Sequence, residues 1–280
     1  MAQEDGLPGS TTSPPELRHP GMPDTGAPDM DVREADARGA GDRDKAARMP
    51  RNRTRRSLRI TRIIVWTLLL LVLAPPLLTV IYSVVPPIST LMISRYAQGL
   101  WVDRQWRSLD QISPHLVRAV ITSEDARFCD HRGVDWDALH GQIQKLNAGE
   151  DARGASTITM QLAKNLFLWG DRSFIRKGLE LPTALMIDQI LTKRRIMEVY
   201  LNVAEWGEGI FGAEAAAQAW FGKSAADLTQ AEASRLATAL PNPILRNPAR
   251  PGRGHARLAS TNQRRIANAG NIFGCVLASR

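Results

Sequence analysis

The longest apolar run in the chain is "IIVWTLLLLVLAPPLLTVIYSVV", residues 63–85, with no charged side chain. At 1.5 Å per residue, a helix of about 20 such residues crosses the hydrocarbon core of a bilayer, so the run predicts a transmembrane helix. Pro75 and Pro76 predict a kink that a lipid-embedded helix tolerates. The run is longer, and lies further from the start of the chain, than the apolar region of a secretory signal. Residues 1–62 precede it, and their first 50 or so are rich in Pro, Gly, Asp and Arg with few large apolar side chains. Such a segment buries too little surface to offset its ordering entropy, and a disordered tail is expected.

From about Ile88 onward apolar positions recur at helical spacing. Ser113-Pro114 is an N-cap followed by proline at the first helical position, opening "HLVRAVITSED". "TITMQLAKNLFLW" and "FIRKGLELPTALMIDQILT" predict two further helices, the second kinked at Pro182. "KRRIMEVYLNVAEW" is amphipathic through Ile196, Val199, Tyr200 and Val203. Thr229 and Glu232 form a capping-box pattern before "ASRLATAL", and Pro241 closes that helix. Alternating strand patterns are scarce and no internal repeat is evident. The expected architecture is one transmembrane helix followed by one mostly α domain over residues 86–280.

Charge gives this layout a direction. Arg51, Arg53, Arg55, Arg56, Arg59 and Arg62 crowd the N-terminal side of the apolar run, and the next basic residue is Arg95. The positive-inside rule then keeps the N-terminus cytoplasmic and puts the large domain outside, in a bacterium on the periplasmic face of the inner membrane. The net charge is +8 and most of the excess lies in that outer domain. A basic domain seeks phosphate, and its location excludes nucleic acid in favour of lipid headgroups or a phosphorylated substrate. Trp101 and Trp106, in the stretch after the apolar run, suit either the membrane surface or the core. Cys129 and Cys275 are the two cysteines. An oxidising compartment permits a bridge between them, and two buried thiols are the alternative.

Two carboxylates stand out as candidate chemistry. Glu124 sits in "SEDARFCDHRG" and Glu180 in "RKGLE". Taken singly, each reads most simply as a solvated charge on a helix. Thr157, Gln161 and Lys164 are spaced to share one helical face, offering a hydroxyl, an amide and an ammonium. Arg176 and Glu180 are four apart, a plain helical ion pair on a surface but, in a cleft, a cation that lowers the acid's pKa. His131 has no partner at metal-ligand spacing, His140 reads as structural or solvated, and Asp130 and Arg132 as solvent-facing. "GEGIFG", residues 207–212, satisfies a dinucleotide fingerprint, but such a site needs a preceding strand and a βαβ unit. A helix is expected before it, so its glycines are assigned to a loop of the cleft.

In their order these segments resemble the peptidoglycan glycosyltransferases, glycosyltransferase family 51. The family's first block, E-D-x-x-F-x-x-H-x-G, is met by Glu124, Asp125, Phe128, His131 and Gly133. The second is met from Gly154 to Asn165, with Thr157, Gln161, Lys164 and Asn165. Met160 departs from it, standing where the family commonly has glutamine. Arg176, Lys177 and Glu180 meet the third block, residues 193–212 the fourth and "LPNP" the fifth. The resemblance covers nearly the whole outer domain and is closest to the monofunctional, membrane-anchored form. No S-x-x-K nucleophile of a transpeptidase is found.

This resemblance implies a lysozyme-like helical fold and a reaction. Lipid II, a disaccharide-pentapeptide on undecaprenyl diphosphate, would be polymerised into β-1,4-linked glycan with inversion and release of the lipid diphosphate. The partners implied are lipid II, the growing lipid-linked glycan, the membrane, and cell-division or elongation proteins. Glu124 would be the base for the attacking hydroxyl. Lys164, Arg176 and Lys177 would meet the diphosphate, and Glu180 would orient them or the donor sugar. Asp125, Phe128, His131, Thr157, Gln161 and Asn165 complete the implied substrate-binding set. No cofactor is required by this scheme, with Mg²⁺ or Mn²⁺ as an alternative neutralising ion. The readings set against it are a lytic transglycosylase or hydrolase, which needs an acid rather than a cation cluster, and a non-catalytic scaffold of the wall-building machinery.

Overall fold

A computed structural model describes residues 51–150, 154–170 and 173–277. The chain divides into two compact units, Met1–Thr61 and Arg62–Arg280. Residues 1–50, the greater part of the expected disordered tail, lie outside the described residues.

Helix α1, Arg51–Tyr82, contains the expected transmembrane run but starts well before Ile63. The segment from Arg51 to Arg62 is therefore helical and not part of a disordered tail. It contains neither Gly nor Pro and half of it is Arg, a good helix former, so nothing in it stops the apolar helix from extending. The helix continues through Pro75 and Pro76, and the Thr79 hydroxyl donates to the Pro75 carbonyl at 2.8 Å. It stops at Tyr82, short of Val85. The prolines at 86 and 87 hold the preceding residues out of the helical region. Among the described residues it is the one helix long and apolar enough to cross a membrane. Leu70, Leu71 and Val72 are typical of its exposed apolar exterior.

The end of α1 is tied down. Arg195 donates to the carbonyls of Tyr82 at 2.9 Å and Val85 at 3.1 Å. The Tyr82 ring stacks on Phe167 with centroids 6.2 Å apart. Next come α2, Thr90–Ala97, and the short strand β1, Asp103–Arg104. Trp106 sits beneath the guanidinium groups of Arg104 and Arg195. Trp101 is exposed.

Helix α3, Pro114–Glu124, begins as expected, with the Ser113 hydroxyl accepting from the His115 amide. Then follow α4, Trp136–Asn147; α5, Ile158–Phe167; α6, Phe174–Ile190; and α7, Lys193–Val203. Helix α6 runs unbroken through Pro182. Helix α7 ends before Trp206, where the sequence pattern predicts that it continues. Strands β2, Glu205–Gly207, and β3, Ile210–Phe211, form a hairpin there. The sheet order is β1-β3-β2, with β1 parallel and β2 antiparallel to β3. The turn buries Trp206 completely and lets its indole donate to the Leu236 carbonyl at 3.1 Å.

"GEGIFG" lies in this hairpin, so a short strand precedes it, not a helix. Its glycines serve packing. A Cβ on Gly212, at φ +85°, would stand 3.0 Å from the Asn202 carbonyl oxygen. None of Gly207, Gly209 and Gly212 lines the cleft described below, so their assignment to a cleft loop is withdrawn.

The domain closes with α8, Ala213–Phe221; α9, Gln230–Ala239; and α10, Arg253–Ala267. Helix α9 carries the expected Thr229/Glu232 capping box. One group of helices packs α3 against α9 and α10; another packs α5 against α6 and α7. Leu116, Val120, Ile121, Ile158, Leu162, Ile187, Ile196 and Leu236 are fully buried in the shared core. Each such aliphatic side chain contributes about 1.5–3 kcal/mol by leaving water. Cys129 and Cys275 are joined as a disulfide, stitching the segment after α3 to the end of the chain.

Candidate active site

Helix α3 ends on Glu124, and Asp125 leaves the helical region with φ −162°. The turn after it is built from inside. The Asp125 carboxylate accepts from the Ile158 amide at the start of α5 at 3.0 Å, and contacts His131 Nε2 at 2.9 Å. The Lys193 ammonium donates to the His131 carbonyl at 2.6 Å and lies 4.6 Å from the Phe128 ring centre. At Gly133 the backbone has φ +73°, and a Cβ would stand 2.6 Å from the Ala184 carbonyl oxygen, so only glycine fits. Asp125, Phe128 and His131 are buried and make this scaffold; none lines the cleft. Asp130 and Arg132 are exposed, as expected.

Thr157 is also scaffold. It is the N-cap of α5, accepting from Met160 N at 3.1 Å and donating to the Gly133 carbonyl at 2.6 Å. The expectation that its hydroxyl shares an open face with Gln161 and Lys164 therefore fails, because threonine at a helix start spends its oxygen on the backbone. Asn165 is buried in α5.

Glu124 itself faces a cavity of about 470 Å³. One of its oxygens accepts from the Ser123 hydroxyl at 3.0 Å and the other from Gln161 Nε2 at 3.0 Å. Gln161 Oε1 accepts in turn from the Tyr200 hydroxyl at 2.8 Å. Tyr200 is fully buried and its phenol is pushed well above its ordinary pKa by that burial, so it is a proton-bearing donor at any working pH. This fixes which way the Gln161 amide points. Burial likewise pushes the Glu124 carboxyl above the ordinary carboxylate range, against the pull of the Gln161 and Ser123 hydrogen bonds and the charge of Arg246. The hydrogen bonds to this carboxylate come from neutral groups, the Ser123 hydroxyl and the Gln161 amide.

Glu180 stands in a different setting. It is buried on α6 and pairs with Arg176 through one oxygen and with Lys177 through the other, the latter at 2.7 Å. The Lys177 ammonium also donates to the Ser156 hydroxyl at 2.6 Å. Lys164 belongs to the same neighbourhood: burial lowers its pKa, Arg176 and Lys177 add to that, and Glu180 and Glu124 oppose it. Ser156, which touches Lys177, lines the cavity alongside Glu124 and Gln161. Glu180, Lys164, Arg176 and Lys177 do not line the cavity themselves; they adjoin it, since Ser156 joins Lys177 to the cavity wall and the Lys164 charge acts on both Glu180 and Glu124.

Apart from Pro241 of the "LPNP" block and Gly154 of the second block, the remaining lining lies outside the motifs of the sequence. Thr238 and Pro241 come from the end of α9, Arg246 from the turn after it, and Leu258, Thr261, Asn262 and Arg265 from one face of α10. The last four recur at three- and four-residue intervals, a helical face legible as a pattern but without a chemical signature. Among the described residues, no three His, Cys, Asp or Glu side chains gather in a way that could hold a metal ion.

A helical domain with one acid on a cavity wall and a second held in an adjoining cation cluster has the build of a lysozyme-like, carbohydrate-active enzyme. The Transglycosylase family matches residues 91–269, and the chain belongs to that family. It is 51% identical over 213 residues to a biosynthetic peptidoglycan transglycosylase of Rhodopseudomonas palustris, covering 75% of this chain and 94% of the relative. Proteins of the same name from Brucella suis and Agrobacterium fabrum are each 50% identical, over 211 and 216 residues, covering 75% and 76% of this chain and 94% and 96% of theirs.

Proposed function

We propose that this chain is a peptidoglycan glycosyltransferase that polymerises lipid II into β-1,4-linked glycan at the outer face of the inner membrane. The observation that carries the reading is the neighbourhood of Lys164, whose charge acts both on Glu124, a cavity carboxylate held by neutral donors, and on Glu180, a buried carboxylate clamped by cations. The sugar hydroxyl of the acceptor is a poor nucleophile and needs a base within hydrogen-bond reach. Glu124 has one face open to the cavity for that hydroxyl. It takes the proton as the hydroxyl oxygen attacks the anomeric carbon of the donor sugar from the side opposite the diphosphate. The bond to the diphosphate breaks, the configuration inverts, and negative charge builds on the leaving group. Lys164 and Lys177 meet that charge, and Arg176 supports them through Glu180. A preformed cation cluster of this kind stabilises a developing anion without reorganising at the moment of reaction.

The topology follows from the arginines ahead of α1, which keep the N-terminus cytoplasmic and the catalytic domain periplasmic. Substrate access follows from α6. Phe174 and Ile175 at its start are 99% and 74% exposed, directly before Arg176 and Lys177. Apolar side chains that enter the bilayer surface beside cations that bind diphosphate suit a substrate whose tail stays in the lipid. Charge neutralisation is assigned to these side chains, and a divalent ion is the competing arrangement.

One observation favours a second reading. The raised proton affinity of Glu124 would also suit the acid of a lytic transglycosylase. The cation cluster argues the other way, because a sugar leaving group needs a proton and not three positive charges. The deciding experiment gives full-length protein in detergent labelled lipid II in one arm and finished glycan strands in another, each with and without a chelator. A ladder of polymer from lipid II, intact strands in the second arm and indifference to the chelator are expected. Cleaved strands without polymer would overturn the synthetic reading, and loss of polymer with chelator would move the charge neutralisation to a metal.

A further inference from the structure

Resting on the reading of Glu124 as the base, we propose that Arg246 is a counter-cation of Glu124, a positioning residue on the wall of the cavity that Glu124 lines. Arg246 lies outside every motif that singles out Glu124, Lys164 or Glu180. It is carried by the turn after α9 and lines the same cavity as Glu124. Its Nη1 donates to the Thr238 carbonyl at 2.6 Å, and its own amide donates to the Asn242 carbonyl at 3.0 Å. Those two bonds fix both ends of the side chain. A guanidinium has five N–H donors in a rigid fork, so the bond to Thr238 anchors the group without using it up.

The need for such a cation follows from the reaction cycle. The charged groups around Glu124 are Asp125 on its own segment, Lys164 of α5, the phenol of Tyr200 on α7, and Arg246, with Arg265 of α10 also lining the cavity. Asp125 disfavours the Glu124 anion, and Tyr200 is neutral. Lys164 favours it in the empty groove. Once the sugar donor's diphosphate sits against Lys164 and Lys177, their positive charge is spent on the substrate. Glu124 would then meet added negative charge at the moment it must be ionised. Arg246 acts on Glu124 but is not among the main charges that act on Lys164, so its charge remains for Glu124 when donor occupies the lysines. It lowers the proton affinity of Glu124 against the burial that raises it.

The sign is definite. Removing the cation raises the pKa of Glu124, and the acid limb of kcat/KM, which requires the ionised base, moves to higher pH. Lipid II polymerisation by full-length wild type, R246M, R246K and E124Q is measured across pH. For R246M the expected result is a loss several-fold larger on the acid side than at the alkaline plateau, with R246K restoring the wild-type limb. A uniform loss at every pH in R246M, or a limb that stays in place, would overturn the proposal and leave Arg246 as a brace for Thr238. Thermal unfolding of each variant separates folding defects from this readout. The reading of Glu124 fails separately, by E124Q keeping the wild-type rate and limb.

Discussion

Glu124 lines a cavity and Glu180 is buried beside it, and the two carboxylates have opposite surroundings. Glu124 takes its hydrogen bonds from a serine hydroxyl and a glutamine amide, while Glu180 is gripped by an arginine and a lysine. A partly buried carboxylate held by neutral donors keeps a raised proton affinity, whereas one gripped by two cations holds those cations in place. Environment therefore divides the work: one acid moves a proton and the other organises positive charge. Residue type alone cannot make that division, since both are glutamates on helices.

The comparison breaks most visibly with paired amides. E124Q is expected to lower polymerisation by about 100- to 10,000-fold, the usual range for a lost general base. It should leave the fold intact or more stable. A carboxyl whose pKa is raised by folding stabilises the native state when protonated, and that contribution is lost as pH rises through the folded pKa. Glutamine mimics the protonated form at all pH values, so the thermal midpoint of E124Q should equal or exceed that of wild type at neutral pH. E180Q should behave in reverse, because it takes from the buried Arg176 its ion pair with Glu180. Breaking a buried pair from one side costs about 3–5 kcal/mol, so E180Q should unfold at visibly lower temperature. Equal stability losses in the two variants would end the distinction.

The disulfide sharpens the comparison on the Glu124 side. Cys129 follows Phe128 of the turn that shapes the Glu124 wall, and Cys275 lies in the last described turn of the chain, with a sequence separation of 146. Closing a loop of that length constrains the unfolded chain by about 5 kcal/mol in the chain-entropy account, with measured values of about 2–5 for lost native bridges. C275S and dithiothreitol-treated wild type are expected to show the same lowered thermal midpoint. Reductant that leaves the wild-type midpoint unchanged would mean the bridge does not hold the turn.

On the cation side, K164A should reduce use of the sugar donor by about 100-fold, comparable to losing one stabilising group at a developing anion. K145A, an exposed lysine in the last turn of α4, should change it by no more than about twofold. Equal effects would remove Lys164 from the diphosphate.

Much of this is legible in the sequence. The apolar run, the caps at Ser113 and Thr229, and the helical periods located most of the helices, because those signals are local. The strand after α7 was not legible, since Trp206 leaves the helical pattern only to reach the distant Leu236 carbonyl. The two acids and three cations were marked by their motifs, yet motif membership could not separate the side chains that face the groove from those that build it. Asp125, His131 and Thr157 turned out to be scaffold because their partners lie on other elements. Arg246 belongs to no motif, and the α10 face has a helical period but no chemical signature; that face enters the site through the packing of α10 on α3 and α9. Tyr200 was read only as an apolar position of α7, and its hydroxyl proved to be part of the site.

That hydroxyl supplies the smallest and most diagnostic test. Tyr200 donates to Gln161 Oε1, which obliges the amide to present Nε2 to Glu124. In Y200F nothing distinguishes the two ends of the amide, and a flipped amide would set an oxygen against the carboxylate. Glu124 would lose a donor that favours its ionised form, so its pKa rises and the acid limb of kcat/KM moves to higher pH, with little change at the plateau. One neutral hydrogen bond is worth about 1 kcal/mol, so the loss on the acid side should be about fivefold. Combining Y200F with Q161A separates mechanism from packing. If the phenol acts only through the amide, Y200F adds nothing to the pH limb of Q161A, because the relay is already gone. A second, additive shift would mean that Tyr200 reaches Glu124 by another route, and the contrast between a neutral-donor acid and a cation-bound acid would need a third group on the Glu124 side.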